Sequence, residues 1–111
     1  MAVHNGKKFI PEDMNLQDWG MTYEDFEPYY DQFEQIYGVA GKAGNLNGRK
    51  IDGGNIFEGP RKNEYPNPPL KQTHSGALFE KAAKELGYNP FPTPSANSSQ
   101  VYTNPDGVTF G

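Results

Sequence analysis

The chain contains two histidines, His4 and His74, and imidazole is the side chain best suited to proton transfer near neutral pH. His74 stands between Thr73 and Ser75, where a helix is predicted to begin, so it could act as a general base. No catalytic motif surrounds it, and a histidine at a helix start is ordinarily a capping or solvated residue. We therefore assign no catalytic residue to this chain. We also predict no metal site, because the chain has no cysteine and no short His/Asp/Glu spacing of a known metal-binding pattern accompanies the two histidines.

A group of carboxylates in one short stretch could be imagined as an acid and base pair. Acidic residues favour the N-terminal end of a helix because they interact with its dipole, and polar residues occupy the solvent face of an amphipathic helix. We interpret the group as a helix start followed by a solvated face. Its members are Glu24, Asp25, Glu27, Asp31 and Glu34.

Three aromatic residues, Trp19, Phe57 and Tyr65, lie among turn-forming residues and could stack on a sugar ring. They could equally anchor a glycine-rich loop, and the scarcity of other apolar residues favours this packing role. The glycines around Gly41 and at 53–54 have neither the spacing nor the strand-turn-helix context of a phosphate-binding loop. We therefore predict no cofactor-binding residue here.

The composition limits the fold and the partners. A chain of 111 residues can form at most one domain, and its 13 glycines and 10 prolines exclude long regular elements over most of its length. A net charge of -4 without a Lys/Arg cluster argues against a nucleic-acid partner. No apolar run approaches the roughly 18 residues of a membrane span, so we predict none.

Two helices are predicted. The first covers about 22–37, with Thr22 as its cap and Gly38 as its stop, and Pro28 should kink it or begin it afresh. The second covers about 75–86, with Ser75 as its cap and Gly87 at its end. The predicted apolar face of the second helix consists of Leu78, Phe79, Ala82, Ala83 and Leu86.

The rest of the chain is predicted to be loops and short strands. Residues 39–72 form a long loop, ordered or partly disordered, which Ile56-Phe57 and Tyr65 should anchor. The proline-rich segment 88–94 should be extended, as an edge strand or a polyproline-like segment. Residues 101–110 could form a hairpin around a turn at 104–107. The expected fold class is α+β, as a partial segment with two helices and short strands.

The order of these motifs resembles the glucose-methanol-choline oxidoreductases. The stretch DWGMTYEDFEPYYD at 18–31 is similar to a segment that opens their substrate domain, with Gly20 where proline is usual, a change that should loosen the turn before the first helix. Three later stretches look like the branch that contains gluconate 2-dehydrogenase large subunits. They are GNIFEGPR at 54–61, EYPNPPL at 64–70 and SGALF at 75–79.

The resemblance implies that residues 1–111 are a single fragment of the substrate (cap) domain of a larger flavoprotein, without its flavin-binding domain. The parent enzyme would use FAD to oxidise CH–OH groups of a sugar, sugar acid or polyol, with its catalytic histidine outside this chain. The partner would be the rest of that flavoprotein. The fragment alone would be inactive and would bind no cofactor.

Two alternatives to an enzyme fragment remain open at this point. The chain could be a stand-alone, non-enzymatic module that binds a carbohydrate or a protein. It could also fold only in part, because the long loop between the helices exceeds what a compact domain usually contains.

Overall fold

The structure of the protein is a computed structural model that describes residues 11, 12, 14, 15 and 19–111. His4 and Asp18 lie outside the described residues. In chain order the elements are α1 (Tyr23–Tyr37), β1 (Asn45–Leu46), β2 (Arg49–Lys50), α2 (His74–Glu85), β3 (Tyr102–Thr103) and β4 (Thr109–Phe110). Strand β1 pairs antiparallel with β2, and β3 pairs antiparallel with β4. The predicted α+β class with two helices and short strands is confirmed.

Helix α1 begins and ends where the sequence predicts. The Thr22 hydroxyl accepts a hydrogen bond from the Asp25 amide at 3.3 Å, and the Asp25 carboxylate accepts one from the Thr22 amide at 2.8 Å. This reciprocal pair is a capping box. The helix runs without interruption through Pro28 and ends at Gly38, whose φ of 64° is the left-handed conformation that glycine adopts at low cost. Of the two outcomes expected at Pro28, the restart does not occur.

The turn before α1 uses a backbone conformation that proline cannot adopt. Gly20 has a φ of 73°, whereas the ring of proline fixes φ near about -65°. The glycine therefore does more than loosen this turn, because it permits a backbone that the usual proline would exclude.

Side chains from distant segments satisfy the carbonyl groups at the end of α1. The last carbonyls of a helix have no partner within it, so they need donors from elsewhere. The pairs are Tyr102 Oη to Gln35 O at 2.7 Å, Asn104 Nδ2 to Ile36 O at 3.1 Å, and Asn67 Nδ2 to Gly38 O at 2.7 Å. The final hairpin and the long loop are thereby joined to the same helix end.

The centre of the fold is small and largely made of backbone contacts. Ala40 exchanges two hydrogen bonds with Ser95, at 2.8 and 2.9 Å, and the Gly41 amide donates to the Asn67 carbonyl at 3.0 Å. Asn67 is fully buried beside Val39. Two chain segments, one before β1 and one after β2, touch at the glycine pair Gly44 and Gly54, where an added Cβ would overlap the opposing backbone.

Helix α2 starts earlier than predicted. The cap is Thr73, whose hydroxyl accepts from the Gly76 amide at 3.1 Å, while Ser75 lies inside the helix and hydrogen-bonds to the Thr73 hydroxyl. Gly87, just after the helix, has a φ of 80°. Only Ala83 on the predicted apolar face is buried, whereas Leu78, Phe79 and Leu86 are exposed.

The predicted hairpin is confirmed, and of the two forms expected for the extended segment 88–94 the edge strand does not occur. Residues 88–94 contain no strand, and the nearest strand-like pairing is the bridge between Ser95 and Ala40. The hairpin pairs Tyr102 with Phe110, and the Asn104 side chain accepts from the Asp106 and Val108 amides at 3.0 and 2.8 Å.

Large apolar side chains of the described residues are more often exposed than buried. Four apolar residues are buried there, and none is larger than valine: Val39, Ala40, Ala43 and Ala83. Seventeen large apolar or aromatic side chains in the same part of the chain are exposed. Neither α1 nor α2 has the length and apolar composition that crossing a bilayer requires.

Candidate functional site

Three carboxylates on α1 hold the loop segment 61–63 against the helix. Their spacing of four and three residues puts them on one face. The contacts are Glu27 Oε1 with the Lys62 amide at 3.0 Å, Asp31 Oδ2 with Asn63 Nδ2 at 2.9 Å, and Glu34 with the Arg61 guanidinium. The interpretation of the carboxylates as a solvated face is therefore wrong for the row formed by Glu27, Asp31 and Glu34. The spacing of these three residues is the one feature of the sequence that could have indicated a binding face.

Arg61 lies between Glu34 and the ring of Tyr65. Its guanidinium carbon is 3.8 Å from the Tyr65 ring centre, and its side chain and that of Glu34 are 10% and 13% exposed. Burial alone would lower the pKa of Arg61, but the hydrogen bonds and charge of Glu34 outweigh it and raise this pKa above the usual value. Burial raises the pKa of Tyr65 to about 12. Neither group exchanges a proton near neutral pH. The role of Glu34, Arg61 and Tyr65 is therefore to hold the loop against α1, and we call these three residues the clamp.

Two further carboxylates bind backbone amides in the long loop. Glu64 Oε1 accepts from the Ala43 amide at 2.6 Å, and Glu58 Oε1 accepts from the Gly44 amide at 2.6 Å. Burial raises the pKa of Glu64, but hydrogen bonds from the Ala43 and Tyr65 amides and the Lys42 ammonium at 3.2 Å outweigh it and lower the pKa. Both carboxylates order the loop, and neither is free to act as a general base.

The sequence candidate His74 is the first residue of α2 and is exposed. In the described part of the chain no group hydrogen-bonds to its ring, so the orienting partner that a catalytic histidine requires is not found there. No three His, Asp or Glu side chains of the described residues come together as metal ligands.

The aromatic candidates separate into one anchor and two exposed rings. Tyr65 packs under Arg61 and against Gly41, where an added Cβ would lie 2.8 Å from the ring. Trp19 is 86% exposed and Phe57 is 79% exposed. The packing interpretation is therefore correct for Tyr65 and wrong for the other two, and Phe57 does not anchor the loop.

A groove of about 700 Å³ lies along α2. Its walls come from α2, from the turn at 52–53 and from the segments 69–72 and 88–93. This volume lies within the range of about 300–1,000 Å³ that small-molecule sites occupy. Sequence reasoning did not find it, because its walls come from four separate stretches of the chain.

A connected polar network lines one side of this groove. Gln72 Nε2 donates to Glu80 Oε2 at 2.6 Å, and Lys84 Nζ donates to the other oxygen of Glu80. The hydrogen bonds from Lys84 and Gln72 lower the pKa of Glu80, and the same bond to Glu80 raises the pKa of Lys84. The negative charge of Asp52 adds to this rise. Both partners are charged over the whole neutral range.

Aromatic rings line the groove as well. Phe79 on α2 and Tyr88 just after it are each 71% exposed, and Phe91 also reaches the groove. Asn89 Nδ2 donates to the Gly54 carbonyl at 3.1 Å and so ties this segment to the residue that follows the turn at 52–53. The groove therefore presents aromatic surface and hydrogen-bonding groups side by side.

A second exposed aromatic surface lies on α1. Phe33 and Tyr37 stack with ring centres 4.5 Å apart, and Phe26 and Tyr30 stack at 5.9 Å. Phe33, Tyr37 and Tyr30 each remain about half exposed. Helical rings at this spacing usually pack into a core. Here they face outward.

The chain is similar to three curated dehydrogenases. It is 43% identical over 109 residues to the gluconate 2-dehydrogenase flavoprotein of Pantoea cypripedii, a match that covers 96% of the chain and 18% of the relative. It is 28% identical over 102 residues to the fructose dehydrogenase large subunit of Gluconobacter japonicus, covering 86% and 17%. It is 30% identical over 79 residues to 2-methyl-1,2-propanediol dehydrogenase of Mycolicibacterium austroafricanum, covering 71% and 12%.

The chain spans less than a fifth of the length of each of these relatives. No family model matches it. The match to the first relative nevertheless extends over almost the whole chain, and the motifs at 18–31 and 54–79 fall within it. The predicted resemblance is confirmed: this chain is a homologue of a segment of the gluconate 2-dehydrogenase flavoprotein and related dehydrogenases.

Proposed function

We propose that this chain is a segment of the substrate domain of an FAD-dependent oxidoreductase that oxidises CH–OH groups of sugars, sugar acids or polyols. The observation that carries the proposal is the 43% identity over 109 residues to a gluconate 2-dehydrogenase flavoprotein. The other two relatives are named for a sugar and for a diol. Oxidation of a hydroxyl-bearing carbon is the chemistry common to the three names.

The exposed apolar surface supports a role inside a larger protein. Monomeric proteins rarely leave large contiguous apolar patches in contact with water. Both the stacked rings on α1 and the Leu78 and Leu86 side of α2 need a covering surface. The rest of the parent flavoprotein is the partner that would supply it.

The glycine pair at 53–54 does not fit the pyrophosphate of FAD, because no helix follows it directly. A phosphate cradle needs open space beside its glycines and a helix that starts directly after them. A Cβ on Gly54 would lie 2.5 Å from the Gly44 amide nitrogen, so the space beside this glycine is filled by backbone. In line with this, we propose that the remainder of the parent enzyme holds FAD and carries the catalytic step.

The contribution of this segment is to position the substrate and to exclude water from the reacting groups. The ion pair between Glu34 and Arg61 ties the loop 39–72 to α1, and the amide contacts of Glu58 and Glu64 cross-link the loop to itself. A loop tied down in this way can cover a reacting centre and orient a substrate while a cofactor carries the chemistry.

The sharpest test is a hybrid enzyme. The matching segment of the Pantoea cypripedii flavoprotein is replaced by this chain, and bound FAD and kcat/KM for gluconate, fructose, glucose and sorbitol are measured. We expect full FAD content and an altered ratio of kcat/KM among the four substrates. A control enzyme with its own segment reinserted through the same junctions should match the unmodified protein.

Two results would contradict the proposal. If the hybrid binds its full content of FAD and the ratio of kcat/KM among the four substrates is unchanged, this segment does not help to form the substrate-binding side of the active site. Saturable FAD binding by the purified chain, followed by flavin fluorescence together with backbone amide shifts, would show that it contacts the cofactor instead.

A further inference from the structure

We infer that Asn47 is a site of spontaneous deamidation, a covalent modification that adds a negative charge to the first hairpin and alters its backbone. The inference uses only residues of this chain and does not rest on the proposed function. Asn47 and Gly48 form the two-residue turn between β1 and β2, and both are exposed. Their φ angles of 52° and 86° are both left-handed, as in the hairpin turn that prefers an Asn-Gly pair.

The reaction uses the side chain of Asn47 and the backbone nitrogen of Gly48. The nitrogen loses its proton and attacks Cγ of Asn47, so that a C–N bond forms, the bond from Cγ to Nδ2 breaks, and ammonia leaves. One water molecule then opens the resulting five-membered succinimide ring. Opening at Cγ gives aspartate, whereas opening at the main-chain carbonyl carbon gives isoaspartate, whose backbone runs through Cβ and Cγ. Water is the one co-reactant.

Both reacting groups are accessible. In the part of the chain that the structure describes, the Gly48 amide donates no hydrogen bond, and a Cβ on Gly48 would meet nothing within 4 Å. The Asn47 side chain makes one contact, from Nδ2 to the Lys62 carbonyl at 3.5 Å. This distance lies beyond the roughly 2.7–3.2 Å that is typical of protein hydrogen bonds. Solvent therefore reaches the nitrogen that must lose its proton and the amide that must be displaced.

Ring closure requires rotation of the peptide group after Asn47, so the turn must open first. Opening costs little free energy here, because β1 and β2 are paired at two positions only, Asn45 with Lys50 and Leu46 with Arg49. Exposed segments with few contacts are among the least stable parts of a fold. Glycine at 48 helps further, since it has no Cβ to hinder its nitrogen and tolerates a wide range of backbone conformations.

The other asparagines of the described residues lack this combination. Asn67, Asn89 and Asn104 each precede a proline, whose nitrogen has no proton to lose and cannot close the ring. The rest precede a residue whose side chain hinders the attacking nitrogen; they are Asn15, Asn45, Asn55, Asn63 and Asn97. Asn5 also precedes a glycine but lies outside the described residues, so the test replaces it.

Isoaspartate at 47 would weaken the attachment of the clamp. Its backbone contains one additional carbon atom, so the two-residue turn no longer holds Leu46 opposite Arg49. The Asn47 amide donates to the Arg61 carbonyl at 2.8 Å, and Leu46 forms a bridge with Arg61. A change of register at the turn therefore reaches Arg61 directly.

The experiment incubates the full chain carrying Asn5→Gln at mildly alkaline pH in water enriched in oxygen-18. Mass spectrometry of its peptides should show NH replaced by one solvent oxygen at 47, before any other asparagine reacts. Both aspartate and isoaspartate should form, because opening of the ring yields both. The rate should rise with pH, since the Gly48 amide must lose its proton.

Substitutions assign the reaction to the turn. Asn47→Gln should abolish it at 47, because the ring would then contain six atoms and closes far more slowly. Asn97→Gln replaces another exposed asparagine and should leave the rate at 47 unchanged. Asn47→Asp carries the new charge without the additional carbon. Hydrogen exchange at the amide of residue 47 should be faster in the isoaspartate form than in Asn47→Asp, and the amide spectrum of each variant checks its fold.

Several results would overturn the inference. One is an unmodified Asn47 after several half-lives of the same reaction in a free peptide of residues 45–50. Another is aspartate without isoaspartate, which would indicate direct hydrolysis of the side chain. Faster reaction at a different asparagine of the described residues would also contradict it, and equal hydrogen exchange in isoaspartate and Asn47→Asp would refute the weakened clamp. None of these measurements involves FAD or a substrate, so this inference and the hybrid-enzyme proposal fail separately.

Discussion

Arg61 binds both carboxylate oxygens of Glu34 through two guanidinium nitrogens, and the pair lies almost entirely out of contact with water. The two residues are 27 positions apart in the sequence. Their pairing fixes the segment after β2 to the last turn of α1. Because the guanidinium also lies on the Tyr65 ring, one side chain joins a helix, a loop and an aromatic anchor.

Removing one member of this pair should be strongly destabilising. Arg61→Met leaves the Glu34 carboxylate buried without a partner, and we expect the free energy of unfolding to fall by about 3–5 kcal/mol. Urea denaturation measures the change. Glu24→Gln, an exposed carboxylate on the same helix, should change stability by less than about 0.5 kcal/mol. Replacing Glu34 by Leu as well should restore part of the loss, and a full additive loss in the double variant would contradict this account.

Gly44 should not tolerate alanine. Its Cβ would overlap the Asn55 backbone, which cannot move aside as a flexible side chain can. We expect Gly44→Ala to lower stability by about 3 kcal/mol or more. Gly87→Ala is the matched comparison, since its Cβ meets open space and only its φ of 80° is strained, at a cost of about 1–2 kcal/mol. Equal losses in thermal unfolding of the two variants would refute the close backbone approach.

The hydroxyl of Tyr102 should contribute to stability through the end of α1. Tyr102→Phe keeps the ring against Gly38 but removes the donor to the Gln35 carbonyl, and we expect a loss of about 1 kcal/mol. Tyr88→Phe removes a hydroxyl from an exposed tyrosine and should have little effect. If both variants denature at the same urea concentration as the unsubstituted chain, the hydrogen bond from Tyr102 to the helix end does not contribute to stability.

Stability should fall in acid, and Glu64 should account for part of the fall. Its pKa in the folded chain lies below the ordinary 4.5, so the unfolded state takes up protons first as the pH decreases. The contribution is complete above about pH 5 and is lost as the pH falls below 4.5 and through the folded pKa. The lowered pKa values of Asp25 and Glu80 act in the same direction. In the Glu64→Gln variant the midpoint temperature of unfolding should therefore decrease less between pH 6 and pH 3 than in the unsubstituted chain.

Local chemistry made the helices and the final hairpin predictable. Thr22, Gly38 and the turn at 104–107 act on neighbours within four residues, so their effects can be read from short windows of sequence. The cap of α2 was misjudged by two positions because Thr73 and Ser75 are both good capping residues. Only the geometry, in which the Thr73 hydroxyl receives the Gly76 amide, distinguishes them.

Contacts between distant residues were not predictable in the same way. The row formed by Glu27, Asp31 and Glu34 finds its partners about thirty residues later, and no local pattern identifies a loop that will return to a helix. The groove was missed for the same reason. The exposure of Phe79 and Leu86 was also unpredicted, because periodicity reveals that a face is apolar but not whether a surface covers it.

The shared cap at the end of α1 has a consequence for how the chain folds. Two of its three donors, Tyr102 and Asn104, come from 67 and 68 residues further along the chain. Such contacts form only when a large loop closes, which costs conformational entropy before the contact stabilises the fold. Chains dominated by contacts of this kind fold slowly. On a ribosome α1 would be complete long before either donor had been synthesised. The full cap at the end of α1 can therefore form only after the final hairpin has been made, and we expect protection of these carbonyl contacts to develop together with the hairpin during refolding.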